Sequence, residues 1–151
     1  MAYTGSQAQT GLGTIFAVNT GTSTTPVWTP VGEIRSSSQT GLAARFVDVT
    51  NFESPGYSEF LPTVVDPGMW KLTVNRVSQD LGQSTLLTAF KNRTISSFQI
   101  TLIAETGQTS GDVITFSAYV ESYDIDLAAE KETTMNISLK VTGAITLVEG
   151  A

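Results

Sequence analysis

Apolar and polar side chains alternate along most of the chain, which is the pattern of β-strands with one buried face. The clearest example places Trp70, Leu72 and Val74 on one face, with polar neighbours between them. The same alternation predicts three further strands, at residues 98–102, 113–120 and 134–141. A polar stretch bounded by glycines, residues 107–111, separates two of them and predicts a hairpin.

One segment has helical spacing instead, from about Asp80 to Lys91. Its apolar positions recur at intervals of one, three and four, at Leu86, Leu87 and Phe90. Ser78 or Asp80 can cap its amino-terminal end, and Lys91 suits the negative end of the helix dipole. The pattern predicts one short helix packed on a β-sheet.

Two regions lack regular alternation. The first is rich in serine, threonine and glycine and is predicted to be an extended amino-terminal segment, residues 1–25. The second, residues 51–68, carries Pro55, Pro62 and Pro67, and proline removes a donor from a β-ladder. We therefore expect a long loop there, without a continuous strand.

The predicted loop contains large side chains that favour burial: Phe52, Tyr57, Phe60 and Leu61. Two interpretations are open from these residues alone. The loop either folds back onto its own domain, or it presents these side chains to another subunit.

Composition limits the protein to one globular domain. The chain has 151 residues, of which 40% are hydrophobic and 9% aromatic, enough for one packed core. No apolar run approaches the roughly 20 residues of a membrane helix. The start, Met1–Gly5, lacks the basic and apolar parts of a signal peptide, so we expect synthesis in the cytoplasm and no membrane partner.

The chain has no cysteine and no histidine. This removes thiol nucleophiles, thiolate and imidazole metal sites, and the commonest general base at neutral pH. Residues 11–14 carry two glycines but no P-loop lysine, so no nucleotide site is expected. The sequence predicts neither an enzyme nor a cofactor.

Acidic side chains outnumber basic ones by 14 to 8, giving a net charge of −6. Nucleic-acid binders need clustered lysine and arginine, so we do not expect the protein to hold DNA. The densest acidic cluster contains Glu121, Asp124 and Asp126, with Glu130 and Glu132 following. It either forms a solvated face, which we favour, or binds calcium or acts as an acid/base pair.

The order of short motifs resembles the major tail tube proteins of long-tailed, siphovirus-type phages such as the lambda-like group. The similarity covers most of the chain and rests on several segments: residues 11–16, 28–34, 47–54, 57–62, 116–124 and 137–143. Two positions depart from the family's pattern, because Thr63 stands where glycine is expected and Pro67 stiffens a turn that glycine often serves.

This resemblance implies a β-sandwich or barrel-like subunit with one flanking helix. Six subunits would form a ring whose inner strands close into a barrel, and the rings would stack into a tube. The loop at residues 51–68 would make the contacts between rings through Phe52, Tyr57, Phe60 and Leu61. Glu121, Asp124 and Asp126 become candidates for the lumen wall.

The resemblance also implies partners and a location. The subunit would be a homo-oligomer in the virion tail, meeting the tape measure, tail terminator and tail tip proteins. DNA would pass through the lumen without specific binding. Two alternatives stay open, namely another ring-forming tail or injection-system tube component, and a carbohydrate-binding β-sandwich module.

Overall fold

Antiparallel strands dominate the computed structural model, which describes residues 8–151. Within these residues lie nine strands and one α-helix. In chain order they are β1 (Ile15–Asn19), β2 (Trp28–Pro30), β3 (Ile34–Thr40), β4 (Ala43–Asp48), β5 (Phe60–Asp66), β6 (Met69–Asn75), α1 (Leu81–Asn92), β7 (Ile95–Thr101), β8 (Val113–Asp126) and β9 (Thr134–Val148). The predicted mainly β fold with one short helix is confirmed.

Seven strands form one sheet in the order β2-β1-β7-β8-β9-β6-β3. The two longest strands, β8 and β9, have 14 and 15 residues and run through both halves of this sheet. The first half joins β2, β1 and β7 to the start of β8. The second half joins the end of β8 to β9, β6 and β3.

The two halves fold face to face around aromatic side chains. Trp70, in the second half, stacks on Phe116 of the first half at a centroid distance of 5.4 Å. It also meets Phe16 edge-on at 6.5 Å. Buried side chains from both halves and from α1 complete one core. The result is the sandwich-like fold that the family resemblance implies, built from one curled sheet.

Irregular pairing lets β8 and β9 serve both halves. One extra residue, Glu121, forms a bulge in β8 between Val120 and Ser122. A second irregularity lies around Gly143, which has a φ of 81°. Bulges raise local twist and bend a strand, so the sequence interruption at Gly143 is a bend within one continuous strand.

Helix α1 begins where predicted, because the Asp80 side chain accepts a hydrogen bond from the Gln83 backbone N–H at 2.9 Å. It ends at Arg93, in the left-handed conformation. Leu86 and Ala89 reach the core. Phe90 lies at the edge of the core and stacks on Tyr123 instead.

The prediction of a strandless loop at residues 51–68 is wrong for its second half. Residues 60–66 form β5, which pairs with β4 in a separate two-stranded sheet. Pro62 is tolerated because each strand of a two-stranded ladder has one unpaired edge, where a missing N–H costs nothing. We call residues 42–67 the arm.

The prediction of an irregular segment through residue 25 is wrong as well. Strand β1 lies inside the sheet between β2 and β7, and its Phe16 and Val18 are buried in the core. A five-residue strand between glycine- and threonine-rich stretches is too short to stand out as a pattern. Residues 1–7 of the predicted segment lie outside the described residues.

Candidate assembly surfaces

The side of the second half-sheet that faces away from the core is mainly polar. Side chains that alternate with the buried ones face away from the core; they include Ser36, Ser38, Lys71, Thr73, Asn75, Ser122, Asp124, Asn136, Ser138 and Lys140. Thr73 donates a hydrogen bond to the Asn136 side chain at 3.1 Å. We call this surface the polar face. A sheet face that carries short polar groups suits contact with water.

The predicted acidic candidates fall on or near the polar face. Asp124 and Asp126 are cross-strand neighbours of Asn136 and Thr134, and both are exposed. Glu121 is exposed too, but it occupies the bulge and therefore breaks the alternation. Lys71 and Lys140 share the polar face with the two aspartates, so the face carries both signs of charge.

These carboxylates do not converge on a metal site. Among residues 8–151, no group of three or more acidic side chains is arranged to hold a metal ion. The helix in this part of the chain is too short and too polar to cross a membrane.

The half-sheet behind the polar face has two free edges within the described chain. Strand β3 pairs with β6 on one side alone. The end of β8 pairs with β9 alone, because its ladder with β7 stops at Tyr119. Exposed backbone N–H and C=O groups at such edges are templates for pairing with another chain. Sequence patterns could not locate these edges, because strand order is a tertiary property.

The arm carries the four predicted contact residues, and the structure leaves all of them exposed. Phe52 and Tyr57 lie in the connection between β4 and β5, and Phe60 and Leu61 begin β5. No residue of the arm belongs to the core. Of the two interpretations of these residues, the subunit therefore does not show the one in which they fold back onto their own domain.

The arm also exposes apolar side chains that the sequence analysis did not single out: Phe46, Val47, Val64 and Val65. They lie on both sides of the two-stranded ladder. The sequence did not predict β4, because its apolar residues are adjacent and do not alternate with polar ones. Recognising β5 as a partner strand would have indicated β4, but the prolines of residues 51–68 argued against a strand there.

Two glycines hold the corner between arm and body. Gly41 has a φ of 81° and Gly68 a φ of 73°, both in the region that favours glycine. A Cβ on Gly68 would lie 2.1 Å from the Thr40 carbonyl oxygen. The backbone that leaves β3 therefore passes close to the backbone that enters β6, and the arm begins at this close approach.

Polar contacts fix both ends of the arm. At the base, the Asp66 carboxylate accepts a hydrogen bond from the Arg45 guanidinium at 2.9 Å and another from the Gly68 backbone N–H. Both hydrogen bonds hold the pKa of Asp66 below its ordinary value of 3.8. Near the tip, hydrogen bonds from Thr50 lower the pKa of Asp48. The Thr50 hydroxyl accepts from the Glu59 N–H at 2.8 Å and joins the two strands.

Several solved structures share this fold. A chain from the virion of a native gene transfer agent particle superposes with a TM-score of 0.71 at 17% identity, covering 93% of this chain and 99% of that one. The SPP1 tail tube gives 0.67 at 17% identity, covering 91% and 77%. A sheath/tube terminator structure of an extracellular contractile injection system gives 0.68 at 11% identity, covering 93% and 96%.

A search of curated protein sequences returned no match. The sequence profile of the phage tail tube protein family, in contrast, matches residues 8–147, nearly the whole chain. The suspected resemblance is confirmed by this match. The chain belongs to the phage tail tube protein family.

Proposed function

We propose that six copies close into a ring by pairing the two free edges of the half-sheet. Its four strands alternate in direction, so β3 and the end of β8 run antiparallel to each other. When β3 of one copy meets β8 of the next, the antiparallel pattern continues across the boundary. Head-to-tail contacts of this kind close when the rotation per copy divides a full turn.

Six such half-sheets make a wide barrel. At a strand spacing of about 4.8 Å the circumference is about 115 Å, and the backbone diameter is about 37 Å before strand tilt widens it. Sixfold symmetry is supported by the tail of a gene transfer agent particle refined with C6 symmetry, which has the same fold. The barrel leaves room for duplex DNA.

The polar face then lines the lumen, because the other side of the half-sheet is the core. Short serine, threonine and asparagine side chains offer DNA no continuous row of positive charge. Lys71 and Lys140 are accompanied by Asp124 and Asp126, and the chain is acidic as a whole, with a net charge of −6. The DNA phosphates therefore gain little binding free energy from contact with this wall.

The arm stacks one ring on the next. It projects from the end of the β3–β6 ladder, and its apolar side chains are exposed on a single subunit. Burying each large side chain is worth roughly 1.5 to 3 kcal/mol, and the contact repeats around the ring. This placement is the observation that carries the proposed stacking.

The protein's place in the virion tail follows from its family. There the tube has two ends, which the tail terminator and tail tip proteins would cover, and its lumen would hold the tape measure protein during assembly. The subunit acts as a building unit and not as an enzyme. Contractile injection systems use the same fold, and binding of a sheath protein would distinguish that alternative.

Electron microscopy of concentrated protein tests the proposal. We expect tubes whose end-on views have six subunits around an open centre. Strictly monomeric protein at every concentration, even with tail initiator proteins added, would overturn it. Monomers of this kind are what we would expect if the protein were instead a carbohydrate-binding module.

A further inference from the structure

A cleft of about 680 Å³ opens where the arm joins the body of the subunit. Leu42, Val65 and Pro67 of the arm form one wall, and Ile114, Ala144 and Leu147 of the body form the other. Its size lies in the range of ligand pockets, about 300–1,000 Å³. No charged side chain lines it, so it suits an uncharged and largely apolar occupant.

One residue of the cleft wall, Gln39, has a buried side-chain amide N–H group with no hydrogen-bond partner within the described residues. The indole N–H of its cross-strand neighbour Trp70 is also buried and unpaired, although Trp70 does not line the cleft. Buried donors are normally paired. An occupant with an oxygen acceptor beside its apolar part would give the Gln39 amide a partner after a rotation about its terminal torsion.

The chain itself carries a side chain of this chemistry. Tyr57, at the tip of the arm, combines an exposed aromatic ring with a hydroxyl group. It cannot reach the cleft of its own subunit, because the strand from Phe60 to Val65 alone is about 17 Å long. The occupant therefore has to come from a second copy.

We propose that Tyr57 of one subunit enters the cleft of a subunit in the neighbouring ring. Its ring packs between the two apolar walls, and its hydroxyl accepts a hydrogen bond from Gln39. The inference rests on the proposed stacking function and names what the arm tip binds. Tip and cleft lie at opposite ends of one arm, so the contact is head to tail and repeats from ring to ring.

Cross-linking tests this contact directly, because the chain has no cysteine. A Ser58→Cys, Ala144→Cys variant keeps Tyr57 and places one thiol beside it and another at the cleft. Treating tubes of this variant with a short bismaleimide should give a ladder of multimers on a denaturing gel. The control, Ser58→Cys alone, has one thiol per subunit and should give no species larger than a dimer.

Two further variants measure the contribution of the side chain. Tyr57→Ala should raise the protein concentration needed for tube growth at least tenfold, and Tyr57→Phe should raise it by less. Circular dichroism should show both folded. Tubes of the Ser58/Ala144 variant without a ladder, or Tyr57→Ala tubes at the unmodified concentration, would overturn the inference and leave the proposed function standing. Absence of tubes from the unmodified chain would overturn both.

Discussion

At the scale of single residues, Gln83 joins the helix to the sheet. Among residues 8–151 it is the one polar residue that is completely buried. Its amide donates to the carbonyl oxygens of Gly32 and Asn75 at 3.0 and 2.9 Å, and its oxygen accepts from the Val77 N–H at 3.1 Å. These bonds satisfy backbone groups that β-ladders leave free at the ends of β3 and β6.

Replacing this amide tests its structural role. Gln83→Leu keeps the volume but leaves buried backbone groups unpaired, each at a cost of about 1–3 kcal/mol. We expect the free energy of unfolding in urea to fall by about 3 kcal/mol. The control, Ser84→Ala on the exposed side of the same helix, should change it by less than about 0.5 kcal/mol. Equal stability of the two variants would contradict this role.

Phe60 and Leu139 separate assembly from folding. Phe60 is 56% exposed on the arm, whereas Leu139 is fully buried in the core. Phe60→Ala should leave the thermal melt of the monomer unchanged and lower the yield of tubes. Leu139→Ala should lower the melt itself, since such core truncations cost about 2–5 kcal/mol.

Circular dichroism and electron microscopy of the two variants provide the comparison. If Phe60→Ala unfolds the monomer as severely as Leu139→Ala, the arm belongs to the subunit's own core. If both melt and tube yield are unchanged, Phe60 makes no contribution to stacking.

At the scale of elements, we expect that the arm can be deleted without unfolding the body of the subunit. Thr40 and Met69 are cross-strand partners, so a two-residue Asn-Gly turn can replace residues 41–68 and close the β3–β6 ladder directly. We expect the shortened protein to keep its melting temperature, because the arm supplies no core residue. Tubes should be absent under conditions in which the full chain forms them. Tubes from the shortened protein would show that another surface stacks the rings.

Long elements were predictable from the sequence and short ones were not. The alternation at Trp70, Leu72 and Val74 identifies β6, and the helix begins at its predicted cap, Asp80. Strand β1 was missed because its apolar run is brief. Strand β5 was missed because Pro62 signals a break, and a proline on an unpaired edge gives the same sequence signal as one in a loop.

The candidate site was predictable in part. The sequence predicted the aromatic contact residues of the arm, because large apolar side chains stood out in a segment without regular alternation. It did not predict the free edges or the cleft, because each is formed by residues far apart in sequence. Ile114 and Val65, for example, line the same cleft through two different sheets.

At the scale of the whole molecule, charge decides how the tube treats DNA. With a net charge of −6 and few lysines, the purified protein should show no measurable binding to duplex DNA at physiological salt. A gel-shift titration at several salt concentrations measures this. Binding at micromolar protein that weakens as salt rises would contradict the charge argument.

A reversal of charge on the polar face provides a matched comparison. Asp124→Lys with Asp126→Lys replaces two negative charges by two positive ones on the proposed lumen wall. Tubes of this variant should retain DNA in a salt-dependent manner, whereas unmodified tubes should not. Equal behaviour of the two kinds of tube would show that these residues do not face the DNA path.

A cryo-electron microscopy reconstruction of the assembled tube would show both the contact within a ring and the contact between rings. We expect a continuous antiparallel barrel, with β3 paired to β8 of the neighbouring copy and the polar face inward. We also expect the arm to cross to the next ring and to bury Phe60 and Leu61 there. A tube whose arms lie along their own subunits, or whose lumen is lined by another surface, would contradict the proposed assembly.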